Sequence, residues 1–448
     1  MAKGLDIPIS YVIILIVLFI IIPGISRIPV MYSDLLWFKT LGYGSVYMTI
    51  LTTEVSIFLV ATLLSFTIIS INAYIADRGK KKEETFREKY IAILALSAIV
   101  GFTLSGSWET VLRYLNQAQF GVTDPIFIKD IGFYVFTLPF YRLTQDFLFY
   151  VIALTMMFAA ITYIKNGNII LIKEEKEYEE GYISQYQLPT KFFEASGKVK
   201  AHFYSLAGFL WLLLAWKHSL DSYDVLYSES GVIFGASYAD ITAYLPALSV
   251  LVYIPILAAI MFFAASILEL KKKTNVWGSL MAIVIAYVLI LLVGTGAYPA
   301  LIQQYRVSPN EIALEKEYIE NNIKYTRQAY GLDNIQDSAI TPNGNITMEY
   351  ILENKEVIEN IRLWDWRPLK QTYKQIQEIR SYYDFNDVDV DRYTLEGGYT
   401  QVLLSARELE YEQLSSEAKT WVNEHLLYTH GYGLCMSPVN KFTEGGLP

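Results

Sequence analysis

The sequence predicts an α-helical integral membrane domain of seven transmembrane helices followed by an α+β extracytoplasmic domain. Three observations predict it. Seven long apolar stretches fill the first 300 of 448 residues, the Lys and Arg content of the segments between them alternates, and the pattern turns amphipathic after Tyr298. The apolar cores run over 9–26, 48–73, 90–106, 143–164, 203–216, 245–268 and 277–298. Most approach the roughly 20 residues that cross a hydrocarbon core. The shortest is extended by the flanking aromatics Phe203 and Trp216.

The first stretch follows Lys3 and ends in Pro23-Gly24-Ile25-Ser26-Arg27 with no small-x-small cleavage site, so it reads as an uncleaved anchor. The connecting segments then sort into two sets, one with 16 Lys and Arg residues and one with six. Because basic residues are retained in the cytoplasm, the N-terminus is expected inside the cell membrane and the chain after the seventh helix outside. The expected division is a membrane domain over 1–299, with aromatic-rich outer loops at 107–142 and 220–243, and an outer domain over 300–448. The aromatics of 107–142, among them Trp108, Phe120 and Phe133, favour the membrane–water boundary, where interfacial helices or a re-entrant element are expected. The loop from Tyr223 to Asp240 reads as a small ordered cap, and Pro255 is expected to kink the sixth helix.

After residue 300 the chain carries 23 acidic and 14 basic side chains, which accounts for the whole net charge of −9. An acidic outer domain argues against nucleic acid and agrees with simple solubility. The one cysteine, Cys435, rules out an intrachain disulfide. Ser308-Pro309-Asn310-Glu311 has the form of a capping box, predicting a helix from Pro309 to Tyr330 that Gly331 ends. Ile312, Ile319, Ile323 and Tyr330 would form its buried stripe. A second helix is expected from Pro368, with Leu369, Tyr373, Ile376 and Ile379 at helical spacing. Asp387–Leu395 and Tyr399–Ser405, separated by Glu396-Gly397-Gly398, alternate as a β-hairpin. A third helix near Ser416–Tyr428 would carry Trp421, closed by His430-Gly431-Tyr432-Gly433.

Five phrases are too idiosyncratic for generic membrane sequence: FGVTDPIFIKDIGFYVFTLPFY at 120–141, YSESGVIFGASYADI at 227–241, VSPNEIALEKEYIENNIKYTRQAYGL at 307–332, NIRLWDWRPLKQTYKQIQEIRSYYDFNDVDVDRY at 360–393 and TWVNEHLLYTHGYG at 420–433. Through them the chain resembles uncharacterised protein family 0182 of prokaryotic multi-pass membrane proteins, whose members are longer, so that it corresponds to their N-terminal half. The resemblance implies seven N-terminal spans and an extracytoplasmic domain. It implies no reaction and no catalytic residues.

The candidate sites are few. Asp387, Asp389 and Asp391 alternate onto one strand face where carboxylates could hold a divalent cation; a solvated face, or pairing with Arg380 and Arg392, is the simpler reading. His430 sits in a glycine-rich turn as a possible base or ligand, against a helix-capping role. Trp364 and Trp366 could stack on a sugar or headgroup, against core packing. Glu54 is functional if deep in its span and unremarkable at its boundary. The reading these support is an envelope anchor whose outer domain binds a surface ligand, an envelope protein or a glycan. The alternatives are an extracytoplasmic, metal-dependent enzyme acting on envelope substrates and, third, a transporter.

Overall fold

The computed structural model describes residues 28–77, 86–171, 193–271, 276–339, 344–395 and 397–448. The apolar stretch expected at 9–26 lies outside these residues. Each of the other six is helical. Five are long and apolar enough to cross a membrane: α1 (Gly44–Asp77), α4 (Phe133–Lys165), α5 (Gly197–Tyr227), α6 (Asp240–Leu270) and α7 (Trp277–Ala329). The sixth, α2 (Phe86–Ser105), is followed by α3 (Trp108–Leu115) across a 62° bend, a broken span or re-entrant turn of the kind the aromatic loop implies. Large apolar side chains such as Leu59, Val60, Leu63 and Leu64 on α1 point away from the protein. A water-soluble surface rarely leaves so broad an apolar area uncovered.

The helices approach closely where side chains are small. Gly101 of α2 lies against the Phe58 carbonyl and Thr62 of α1, and Gly208 of α5 lies under the ring of Phe263 on α6. Such contacts suit helix pairs that cannot rely on the hydrophobic effect to associate. Trp211 packs on Ala258 and Ala259 in the same α5–α6 seam.

Proline leaves a regular mark on these helices. Four turns widen to i→i+5 bonding, at Phe133–Thr137, Asp240–Tyr244, Val293–Ala297 and Gln303–Val307. Each ends two residues before a proline: Pro139, Pro246, Pro299 and Pro309. Proline offers no N–H to the preceding turn and its ring crowds the carbonyl four residues back, so a turn with one extra residue accommodates it without breaking the helix. In each case the residue before the proline donates its amide to the carbonyl five residues earlier, as Ser308 does to Gln303.

This is why the capping box at Ser308 does not form. The helix arrives from Trp277, tightens to a 3-10 turn over Ser308–Asn310 and resumes at Glu311 after Asn310 at φ −141°, so Ser308 does not stand at the N-cap; its hydroxyl donates to the Gln303 carbonyl instead. The expected stripe is also displaced. Ile312, Ile323 and Tyr330 are exposed, and the fully buried residue on this face is Glu315. Gly331, at φ 66°, ends the helix as expected. The chain divides into two compact units after Ile335, so α7 belongs wholly to the first.

At one end of the first unit a polar clasp joins four helices. Asp77 of α1 meets Lys89 of α2 at 2.7 Å and Asn166, just past α4, at 3.2 Å. The Tyr163 hydroxyl lies 2.9 Å from Nδ1 of His202 on α5, whose Nε2 lies 2.9 Å from Asn72 of α1. Beyond it, β1 (Ile169–Leu171) pairs antiparallel with β2 (Phe193–Ala195).

The second unit is α+β. Short helices α8 (Met348–Glu353) and α9 (Lys355–Glu359) precede α10 (Trp366–Gln377). The Asp365 side chain caps α10 by accepting from the Arg367 amide, so this helix starts two residues before Pro368. The hairpin forms as β4 (Asp389–Leu395) and β5 (Gly398–Ala406), turned at Gly397 with φ 84°, and β7 (Leu434–Pro438) pairs with the other edge of β5. The two-residue strands β3 (Tyr383–Asp384) and β6 (Glu408–Leu409) pair beside them. Leu369 and Tyr373 from α10 pack with Phe385, Val388, Leu403 and Val439 as one core. Ile376, in the last turn of α10, is exposed, and so is Ile379, which lies past the end of the helix at φ 61°. The helix around Trp421 is a single short stretch over 421–427, shorter than expected.

Candidate functional site: a braced loop surface

At the end of the first unit opposite the clasp, three segments meet: the 116–132 loop, the 222–240 loop and the 311–329 portion of α7. They overlap three of the phrases that carry the family resemblance.

Two aspartates shape the first loop. Asp124, 5% exposed, accepts from the amides of Ile126, Phe127 and Lys129 and from the Tyr134 hydroxyl, all at 2.6–2.9 Å. Burial pushes its pKa up, but those four donors outweigh it and hold the carboxyl below the usual aspartate range. Asp130 accepts from the amides of Phe120, Gly121 and Gly132. The Phe120 and Gly132 amides lead in holding its carboxyl low as well. Between them Ile128 is 75% exposed at φ 54°, a conformation that β-branched residues avoid. The two carboxylates fix this loop firmly enough to hold that strain.

The second loop is built on a capping box that does form. Ser237 precedes the first turn of the helix that continues as α6; its hydroxyl accepts from the Asp240 amide at 3.2 Å, and the Asp240 carboxylate accepts from the Ser237 amide at 3.1 Å. Asp240 also accepts from the hydroxyls of Ser237 and Ser230. The third segment closes on this turn. Glu315, fully buried, receives the Tyr238 amide on both carboxylate oxygens at 3.2 Å. The Asn322 amide donates to the Phe234 carbonyl at 2.8 Å, and the Tyr325 hydroxyl to the Thr123 carbonyl at 3.0 Å. All three segments are thereby tied together by polar groups.

Nearby, Arg142 of α4 donates to the Leu220 carbonyl and to Asp224 at 2.6 Å, with Asp221 at 3.5 Å. His218 of α5 bridges towards α7, its Nε2 2.9 Å from the Tyr287 hydroxyl and its Nδ1 3.4 Å from Asp221. The loop surface therefore stands on a cross-linked helix end. It encloses a groove of about 360 Å³ between Pro125, Ile126, Leu226, Ile233 and Phe234 on one wall and the α7 face from Tyr318 to Tyr330 on the other. No charged side chain among the described residues lines it.

The residues singled out in the sequence lie elsewhere. Asp387, Asp389 and Asp391 are exposed, and no group of three His, Cys, Asp or Glu side chains among the described residues is placed to hold a metal. The expected cation face is therefore not assembled: Asp387 and Asp391 turn their carboxylates onto the amides of Val388 and Arg392, and Asp384 pairs with Lys374 at 2.6 Å. Trp364 packs against the core of the second unit and donates its indole N–H to the Lys441 carbonyl, whereas Trp366 lies partly exposed under the Arg367 guanidinium. His430 meets the Thr429 hydroxyl at 2.9 Å and His425 stacks on Trp421. Glu54 is half-buried within α1. That helix starts at Gly44 but, at 34 residues, runs about 51 Å, longer than a bilayer core, so its start does not fix the depth of Glu54.

A family model described as Uncharacterised protein family (UPF0182) matches residues 11–448. A UPF0182 protein of Desulforamulus reducens is 35% identical over 454 residues, covering 93% of this chain and 46% of the relative. One of Pelotomaculum thermopropionicum is 37% identical, with coverage of 93% and 46%. A third, of Methanospirillum hungatei, is 37% identical with the same coverage. No solved structure matches. The chain spans about half the length of the curated relatives it matches. With the match running from residue 11 to residue 448, the chain belongs to the UPF0182 family.

Proposed function

We propose that this is a multi-pass protein of the cell membrane, N-terminus inside, whose braced loop surface and second unit face outward and bind an envelope ligand. The uncovered apolar helices support the membrane part, and the 16-to-6 division of basic residues supports the orientation. The observation that carries the binding part is the loop surface itself. Seven hydrogen bonds to Asp124 and Asp130, a capping box and a buried Glu315 hold three distant segments around one groove. Preorganised groups of this kind lower the ordering cost of binding.

A ligand that binds only the folded protein raises its melting temperature. Fractions of envelope extract added to the purified full chain are expected to contain one that does so, with the shift lost in Asp240→Ala. No stabilising fraction, or a shift that Asp240→Ala retains in full, would count against the loop surface.

A further inference from the structure

We infer that residues 346–363 of the second unit form an interface for the part of the UPF0182 chain that has no counterpart in this one. Ile346, Met348, Leu352, Val357, Ile361 and Leu363 are each more than half exposed. They lie on and beside α8 and α9, helices of six and five residues, where even a favourable sequence needs roughly 12–15 to be marginally stable alone. Polar contacts hold the stretch in place. The Leu363 amide donates to the Val439 carbonyl at 2.7 Å, the Gln401 amide to the Asn360 side-chain oxygen at 2.6 Å, and the Asn360 side-chain amide to the Tyr399 carbonyl at 3.1 Å. Its apolar side chains are left over, and an uncovered apolar surface of this extent marks a contact site.

Charge decides what kind of surface covers it. Glu349, Glu353 and Glu356 stand exposed among these side chains with no ion pair among the described residues, and Lys355 is taken by Glu359 at 3.2 Å. Helices that settle on bilayers carry Lys and Arg on their polar face, so an acidic stretch does not suit an anionic lipid surface. A protein surface with an apolar centre and a basic rim does. Length then identifies one. The UPF0182 proteins of Desulforamulus reducens and Pelotomaculum thermopropionicum match this chain over 93% of its residues but over 46% of their own, so each carries a comparable length of polypeptide besides. Polypeptide joined to the same chain meets the stretch at high effective concentration and needs no separate encounter.

Amide exchange tests this by comparing the full chain with the intact Desulforamulus reducens relative, both purified in detergent and corrected for intrinsic rates. Peptides covering 346–363 are expected to exchange fast in this chain and the aligned peptide of the relative about tenfold more slowly or beyond, whereas β5 should be protected in both. Leu352→Lys and Ile361→Lys, at exposed positions, should leave the melting temperature of this chain unchanged. The corresponding substitutions in the relative should return its aligned peptide to fast exchange. Equal exchange of the stretch in the two unsubstituted proteins overturns the inference, as does protection in the relative that survives the substitutions. Slow exchange in this chain that is lost on dilution would assign the stretch to a second copy instead. Slowing seen only after reconstitution into phosphatidylcholine–phosphatidylglycerol vesicles would assign it to lipid, and either result overturns the inference too.

Discussion

Asp124 and Asp130 show how a side chain with no catalytic surroundings can still organise a site. Each replaces water with amides of its own loop, and Asp124 is too buried for water to take their place. Asp124→Ala is therefore expected to cost about 2–4 kcal/mol, since it strands several buried donors, and to shift denaturation of the full chain in detergent accordingly. Asp124→Asn, which keeps the shape, should cost less. The pH dependence follows from the sign of the shift. A carboxyl held below its unfolded value contributes stability that is complete above the ordinary aspartate range and is lost as pH falls through the depressed one. Loosening of this loop, followed by amide exchange of 116–132, should thus appear only on acidification below that range and not between neutral and mildly acidic pH. These aspartates were hard to single out in the sequence because their partners are backbone amides, which carry no residue signature. Asp124-Pro125 was the available turn signal. Asp387, Asp389 and Asp391 are the opposite case, conspicuous by density yet placed on exposed backbone where nothing converges.

Elements with a strong local period were the readable ones. The six described apolar stretches became helices, and the 389–406 hairpin formed with Asp389 opposite Leu404 and Leu395 opposite Gly398. The cap expected at Ser308 does not form, whereas one not singled out in the sequence, at Ser237, does. Ser237-x-x-Asp240 and Ser308-x-x-Glu311 have the same form, but Ser308 opens a 3-10 turn that joins two helical stretches of α7, the next of which starts at Glu311 behind Asn310. Ser237→Ala is accordingly expected to cost about 1–2 kcal/mol and Ser308→Ala less than about 0.5 kcal/mol in the same denaturation experiment. Equal costs would mean that α7 starts anew at Ser308. The displaced stripe on α7 has a related cause: this helix packs against loops through Glu315, Asn322 and Tyr325, so apolar periodicity did not mark its inner face. In the second unit, the core is apolar and periodicity sufficed. Leu403→Ala, at a fully buried position of β5, should lower stability by about 2–4 kcal/mol, whereas an exposed β4 position such as Asp391→Asn should change it little.

For the whole molecule, two independent features bear on the membrane. The uncovered apolar helices speak for a bilayer around the first unit, and the unequal distribution of Lys and Arg speaks for the direction in which it is inserted. The structure adds that residues at one end of the helices form the Asp77–Lys89–Asn166 contacts and those at the other form the aspartate-braced loops. The two ends should therefore face different compartments. Charge asymmetry can be read without any knowledge of packing; the loop surface could not, because it depends on contacts between residues as far apart as Thr123 and Tyr325. Single cysteines placed at the two ends test the orientation directly. In a Cys435→Ser background, Ile128→Cys and Lys165→Cys both stand exposed in the fold. In intact cells a membrane-impermeant maleimide should label Ile128→Cys and reach Lys165→Cys only after permeabilisation. Labelling of Lys165→Cys with Ile128→Cys protected, or of both alike in intact cells, would contradict the account.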